Sequence, residues 1–470
     1  MEDRRVMYEP DPEAVTLPPS TERAINWRSP LERRRPDLET PETEGETGDG
    51  DQGGVVTHRR RAGEEVPVKS HDSVVERIED FNRNRERERL QIKHARMRSS
   101  LYRFFRGTSH LYYQDWPDTA LDQTPPIWSS GDLHLENFGS YKGDNRLVYF
   151  DISDFEDAIL TPAARELTRF VSSVLIAARS LGIGSRDMIA LAHLYLRSYT
   201  AALREGQARW VERATAKGMI KDLLSELKQR SRRQLLDERT VLTGRARRLL
   251  IDFKRTLPVP EVAHARIAAF MRKYAAKQPD PNFYKLLDVA RRIAGISSLG
   301  LPRYVLLVEG EGSPHQNYLL DLKFAPPSAA AAYTPTPQPE WKNHAERIVA
   351  IQRRIQAIPP ALLHPVLVNR QPYVLRELQP TTDRLRLEDW EGKLRRLEKV
   401  MVSMGEITAW AQLRSSGRQG SAINDQLIDF ARTDGWQQEV LAYARVYSTR
   451  MEADYKEYSE AYDSGVFGDT

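Results

Sequence analysis

The sequence predicts an α+β protein in which long helices flank a β-rich segment placed late in the chain. Three observations carry this reading. Residues 164–182 (ARELTRFVSSVLIAARSLG) and 187–206 (DMIALAHLYLRSYTAALREG) repeat apolar side chains at i, i+3, i+4 and i+7, the period of an amphipathic helix. RYVLLVEG and NYLLDLKFA are apolar runs of strand length separated by a turn containing EGSPHQ. HPVLV and YVLREL are joined by Asn369-Arg370-Gln371-Pro372, a hairpin signal.

Composition narrows the function classes. The 470 residues carry 70 Lys and Arg against 66 Asp and Glu, a net charge of +4. That balance lacks the dense basic excess with which a protein neutralises a nucleic-acid backbone, so nucleic acid is not the expected partner. The absence of cysteine excludes disulfides, thiolate nucleophiles and cysteine-ligated metals. The opening MEDRRVMYEPDPEAV has no apolar core of a secretion signal, and no run approaches the ~18 apolar residues of a membrane span. The expectation is a cytoplasmic protein with no membrane partner.

Along the chain, residues 1–70 read as a disordered tail. They contain PDLETPETEGETGDGDQGG, which buries too little apolar surface to offset the entropy of ordering. Residues 71–292 read as a mainly helical unit. Within it, IWSSGDLHLENFGSY and RLVYFDISDF give a strand, a loop, a short strand, a Gly-Asp-Asn turn and another strand. The polar, basic stretch 205–292 reads as helix whose charges face solvent. Residues 293–380 are the β-rich part, with HAERIVAIQRRIQAI as an amphipathic helix inside it, and residues 381–470 are helical again.

The strongest chemical signal is Gly131-Asp-Leu-His-Leu-Glu-Asn137, followed by Asp151 and Asp154. Phosphoryl transfer asks for a carboxylate that accepts the proton of the attacking hydroxyl, and for an amide oxygen and a second carboxylate that hold Mg²⁺ against the phosphates. Asp132, Asn137 and Asp154 fit these roles, with Asp151 as a further ligand or a loop anchor. Taken alone, Asp132 and Asn137 also suit turn capping. His134 is expected to serve structure through hydrogen bonding.

The second signal is Gly295-Ile-Ser-Ser-Leu-Gly300. This small-residue loop, through Gly295, Ser297, Ser298 and Gly300, lets backbone N–H groups approach phosphate oxygens, and it equally suits a plain tight turn. Lys323 sits among apolar neighbours in LLDLKFA, so its ammonium requires an anionic partner. Glu346 on the following helix is the natural one, with an edge lysine reaching solvent as the alternative. The backbone of Glu377, Leu378 and Gln379 offers hydrogen bonds to a base. Arg106, in FFRGT, is either a structural stacked guanidinium or a phosphate clamp.

Together these segments resemble the protein-kinase-like fold. GDLHLEN is similar to the catalytic loop of the aminoglycoside phosphotransferase and choline kinase group, and SDFEDA to its metal-binding segment. GISSLG, LLDLKFA and HAERIVAI are similar to a Gly-rich loop, a third-strand Lys and a helix Glu. The order is rotated, with the catalytic loop ahead of the nucleotide-binding lobe, and a circular permutation accounts for it. More narrowly, ARMRSSLYRFFRGT, SSGDLHLENFGSY, VYFDISDFEDAILTP, RRIAGISSLG, LLDLKFAPPSA, AERIVAIQRRIQ and YVLRELQP resemble the bacterial domain-of-unknown-function 2252 family. Ser130 stands where kinase-like loops carry His, and Gln412 stands where relatives show His. The resemblance implies a two-lobed fold and an ATP- and Mg²⁺-dependent phosphotransferase acting on an unspecified hydroxyl acceptor. Binding of nucleotide without turnover, nucleotidyl transfer, and metal-dependent phosphodiester hydrolysis through Asp132, His134 and Asp154 remain the alternatives.

Overall fold

The hairpin signal at Asn369 resolves into a two-residue turn. Asn369 and Arg370 have φ of 50° and 65°, the left-handed pair that matches the twist of the flanking strands. That hairpin forms one end of a six-stranded antiparallel sheet in the computed structural model, which describes residues 73–379 and 384–468. The expected tail, residues 1–70, lies outside the described residues. Across the sheet run His364–Val368, Gln371–Glu377, Tyr318–Phe324, Arg303–Val308, Leu286–Arg292 and Thr256–Leu257.

The last two of these strands correct the sequence reading. They precede residue 293 and fall in the stretch expected to be helical, as does the hairpin of Thr240–Thr243 with Ala246–Leu249. In Leu286–Arg292 the apolar alternation is short and runs into charge, so its strand character shows only through pairing with Arg303–Val308.

The two faces of the sheet differ. One carries Val289, Tyr304, Leu306, Leu320, Leu322, Tyr373 and Leu375, which pack with Ile267 and Met271 of the helix Glu261–Ala275. The other carries Ala290, Val305, Leu307 and Leu319, clustered with Leu236, Leu249 and Leu378. Toward one end this second face turns polar. Cross-strand register sets Arg303 opposite Lys323, and Val305, Asp321 and Arg376 opposite one another. With the period of two, Arg292, two residues beyond Ala290, joins the same side.

The remaining core is helical. Ala163–Ser180, Ser185–Glu205, Leu394–Ser415 and Trp436–Asp463 share one large apolar cluster. Each fully buried Leu or Phe in it contributes about 1.5–3 kcal/mol. Gly405 lets two of these helices touch, since a Cβ there would stand 2.5 Å from the Tyr195 carbonyl and 2.9 Å from the Tyr199 amide. The helix His344–Ile355, although it sits between strands of the sheet in sequence, places Ala345, Ile348, Val349, Ile351 and Ile355 in this same helical core. Among the described residues no helix is long and apolar enough to cross a membrane.

Candidate functional site

The Asp132 loop follows the strand Pro126–Ser129 and is fixed from below by one buried carboxylate, Glu166. Ser129 Oγ and the Ser130 N–H donate to Glu166 at 2.9 and 2.8 Å, and the Gln412 amide donates at 3.4 Å. Ser130 and Gln412, the two positions where His was the expected residue, thus meet on the same group. Gly131 has φ of 85°, and a Cβ there would collide with the Asp157 carbonyl. Gly131→Ala should therefore destabilise the protein by about 2 kcal/mol or more in denaturant unfolding, since both the backbone conformation and the space are refused.

Asp132 is held by Arg169, a fully buried guanidinium stacked 3.5 Å over the Phe105 ring. Arg169 Nε and one terminal nitrogen each lie 2.9 Å from Asp132 Oδ1, which leaves the second oxygen without a protein partner among the described residues. Burial pushes the Asp132 carboxyl up to about 7; Arg169 opposes this, while the charges of Asp157 and Asp154 add to it. Asn137 donates its side-chain N–H to the Asp132 carbonyl at 2.9 Å. Its own carbonyl accepts from the N–H and Oγ of Ser153 at 2.8 and 3.1 Å, so the loop is tied directly to the residue before Asp154. His134 is buried and accepts the Glu136 N–H on Nδ1 at 3.1 Å, which caps the short helical turn Leu135–Asn137. Burial holds its imidazole far below the usual value, so it is neutral. Arg106 pairs with Glu136 at 2.6 Å.

Lys323 reaches from the sheet to the segment carrying Asp154. Its ammonium lies 3.3 Å from Asp154 Oδ1 and contacts the Glu156 carboxylate. This corrects the expected partnership with Glu346. That residue is half-buried at the start of its helix, where its N–H donates to the Asn343 cap oxygen at 3.0 Å, and Lys323 is not among its partners. The reason is the helix's seat: its apolar face belongs to the helical core, and Arg347 anchors it to the carbonyls of Glu156 and Pro326 at 2.8 and 2.9 Å. Burial lowers Lys323 to about 8, with Asp154 opposing. Burial also resists charge on Asp154, but Lys323, Arg376, Arg303 and Arg384 outweigh it and bring Asp154 to about 2.

Asp151 does not join this group. Its carboxylate accepts from Arg414 at 2.9 Å and from the Ala357 N–H at 3.3 Å, so it anchors the hairpin and is corrected from a metal-ligand candidate. The Gly295–Gly300 loop does join the strands Leu286–Arg292 and Arg303–Val308, with φ of 79° and 89° at its two glycines. It is gripped through its carbonyls: Gly295 by Arg96 at 3.1 Å, Ser297 by Lys93 at 3.4 Å, and Leu299 by Arg85 at 3.0 Å. Ser298 is buried. The base-contact expectation at Glu377 and Leu378 is corrected for their backbone donors. Their N–H groups donate to the Ala361 and Leu319 carbonyls at 3.0 and 2.8 Å, so neither is free for a ligand.

Sequence reasoning missed four arginines. Arg292, Arg303, Arg376 and Arg384 line a small recess together with Lys323 and Asp154. Asp321, 1% exposed, is the carboxylate shared by three of them: Arg303 forks onto both its oxygens at 2.9 and 2.6 Å, Arg292 lies at 2.9 Å and Arg376 at 3.8 Å. Burial resists its charge, and these guanidinium groups still hold it well below the usual carboxylate range. Beside the recess opens a cleft of about 640 Å³, walled by Ala294, Gly295, Val305 and Leu378 on the sheet side and by Arg106 and Glu136 on the other. That volume falls in the range of small-molecule sites. Asp132 and Asn137 are not on the walls of either cavity. Among the described residues, no cluster of three or more His, Asp or Glu is arranged to hold a metal ion by itself.

A sequence model of the bacterial family described as "Uncharacterized protein conserved in bacteria (DUF2252)" matches residues 85–461. No curated protein and no solved structure gives a significant match to the chain.

Proposed function

We propose that this chain, which belongs to the DUF2252 bacterial family, is an ATP- and Mg²⁺-dependent phosphotransferase with a kinase-like, circularly permuted arrangement, acting on a hydroxyl acceptor. The observation that carries the reading is the meeting of Lys323 with Asp154 in a recess ringed by four arginines. Two distant stretches of chain supply the cation and the carboxylate, and the surplus of positive charge suits a triphosphate. Supporting it further, the Gly-rich loop joins two neighbouring strands and the Lys lies on the strand that follows them, the sequence of parts that covers and neutralises phosphates in kinases.

Magnesium fits the donor set. Asn137 commits its side-chain N–H to the Asp132 carbonyl, which leaves its oxygen as an acceptor, and Asp154 remains charged in a partly open position. These two groups would hold the ion, with phosphate and water oxygens completing its shell, and when bound it neutralises phosphate charge. In this reading the free oxygen of Asp132 accepts the acceptor's hydroxyl proton as the new O–P bond forms and the bond from the γ-phosphorus to the β-bridging oxygen breaks. Arg169 orients that carboxylate. Lys323, Arg292, Arg303 and Arg376 stabilise charge on the departing diphosphate. His134, spent on a cap, disfavours the phosphodiesterase alternative. Binding without turnover keeps one supporting observation, the position of Asp132 off the cavity walls.

The test is a γ-phosphate transfer and ATP hydrolysis assay across pH. The carboxylate form is the active one, so activity should rise with pH through an apparent value near 7. Asp132→Asn should remove that limb and about 100-fold of the rate. A wild type that binds ATP yet transfers no phosphate to water or to any acceptor would favour the scaffold reading.

A further inference from the structure

Resting on the phosphotransferase reading, we infer that the acceptor is itself anionic, carrying a phosphate or carboxylate that is received by Arg106 and Arg384 on the cleft wall beside the Asp132 loop. The recess already supplies Arg292, Arg303, Arg376 and Lys323 to a triphosphate. The adjoining cleft, among the described residues, is lined by nine Lys or Arg against three Asp or Glu, so its positive charge exceeds what the recess uses.

Two of these cations flank the loop that would receive the acceptor. Arg106 is 8% exposed, pairs with Glu136 one residue before Asn137, and has a buried Nε with no hydrogen-bond partner. Arg384 forms a backbone bridge to Gly139, two residues after Asn137, and lines both cavities. Its guanidinium has no ion-pair or hydrogen-bond partner among the described residues. Both cations thus line the cleft while tied to the stretch that directly follows Asp132, Arg106 through Glu136 and Arg384 through Gly139. Two guanidinium groups lining one cleft, of which only Arg106 has a carboxylate partner, repel each other, and an incoming anion relieves that repulsion.

The experiment uses the full chain saturated with Mg²⁺ and a non-hydrolysable ATP analogue, with inorganic phosphate as the probe in isothermal titration. Saturable binding of phosphate to that complex is expected. Arg106→Ala should weaken it by about 10-fold or more, and Arg106→Lys should restore part of it. Glu136→Gln removes the competing carboxylate and should tighten phosphate binding. A purely structural Arg106–Glu136 pair would instead give weaker binding, or none, in both variants. The inference is overturned if the wild-type complex binds no phosphate, or if phosphate binds equally well to Arg106→Ala, which would mean an adventitious ion only. Should the wild type bind phosphate but no ATP analogue, the phosphotransferase reading fails. The anion site then stands or falls on the opposite signs of the Arg106→Ala and Glu136→Gln effects.

Discussion

Replacing Lys323 by methionine is expected to lower kcat/KM for γ-phosphate transfer by about 1,000-fold while leaving the fold intact. Methionine keeps the length and apolar stem of a side chain that stands opposite Arg303 and Val374 in the neighbouring strands, so packing changes little. What disappears is the ammonium that faces Asp154 and Glu156. The companion substitution Glu346→Gln separates this account from the one the sequence suggested. Because the helix His344–Ile355 is seated in the helical core and Lys323 takes its carboxylates from the Asp154 segment, Glu346→Gln should leave kcat/KM unchanged. Glu156→Gln should lower it. A large loss on Glu346→Gln, with none on Glu156→Gln, would show that the helix Glu holds Lys323 during turnover.

Asp321→Asn is expected to cost about 3–5 kcal/mol of stability, measured by denaturant unfolding at neutral pH. The carboxylate is buried and is the shared counter-ion of Arg292, Arg303 and Arg376. An amide keeps the shape and an acceptor oxygen, but it leaves three guanidinium groups crowded around a neutral group. The pH dependence follows from the depressed value of Asp321 in the folded protein. Its contribution is fully present above the unfolded-state value of about 3.9 and is lost as pH falls toward the folded-state value. The wild type should therefore lose stability on acidification below about pH 4, whereas Asp321→Asn should show a shallower dependence there. Asp132 acts in the opposite direction: its raised value makes the folded state bind the extra proton, so its contribution to stability falls between about pH 4 and 7.

Local signals in the sequence carried far in some places and failed in others. Asn369-Arg370 announced a hairpin because left-handed turn residues leave a compositional mark, and the alternation of RLVYFDISDF located the strand Val148–Ile152. The spacing of Asp132 and Asn137 suggested two side chains aimed into one cleft; the tight turn instead brings the Asn137 amide back to the Asp132 backbone carbonyl, a contact that spacing alone does not announce. Glu346 misled because a glutamate on the helix after a lysine strand says nothing about which core that helix enters. The arginine ring was missed because its members sit on four separate segments, and a lone arginine in a strand reads as solvent-facing. One usable signal was present. Asp321 and Lys323, two apart on an otherwise apolar strand, must share a face, and a charged pair on one face of a buried strand calls for charged partners across the register. Neighbouring strands supply them as Arg303 and Arg376. The strand Leu286–Arg292 stayed hidden for a related reason, because its identity depends on the partner strand more than on its own pattern.

The most direct measurement is isothermal titration of a non-hydrolysable ATP analogue with Mg²⁺ into the full chain, repeated for Lys323→Met and Asp154→Asn. Saturable one-to-one binding by the wild type is expected, weakened by at least about 10-fold in each variant, with a magnesium-dependent affinity that Asp154→Asn removes. Absence of nucleotide binding by the wild type, or equal binding by all three proteins, would contradict the phosphotransferase reading.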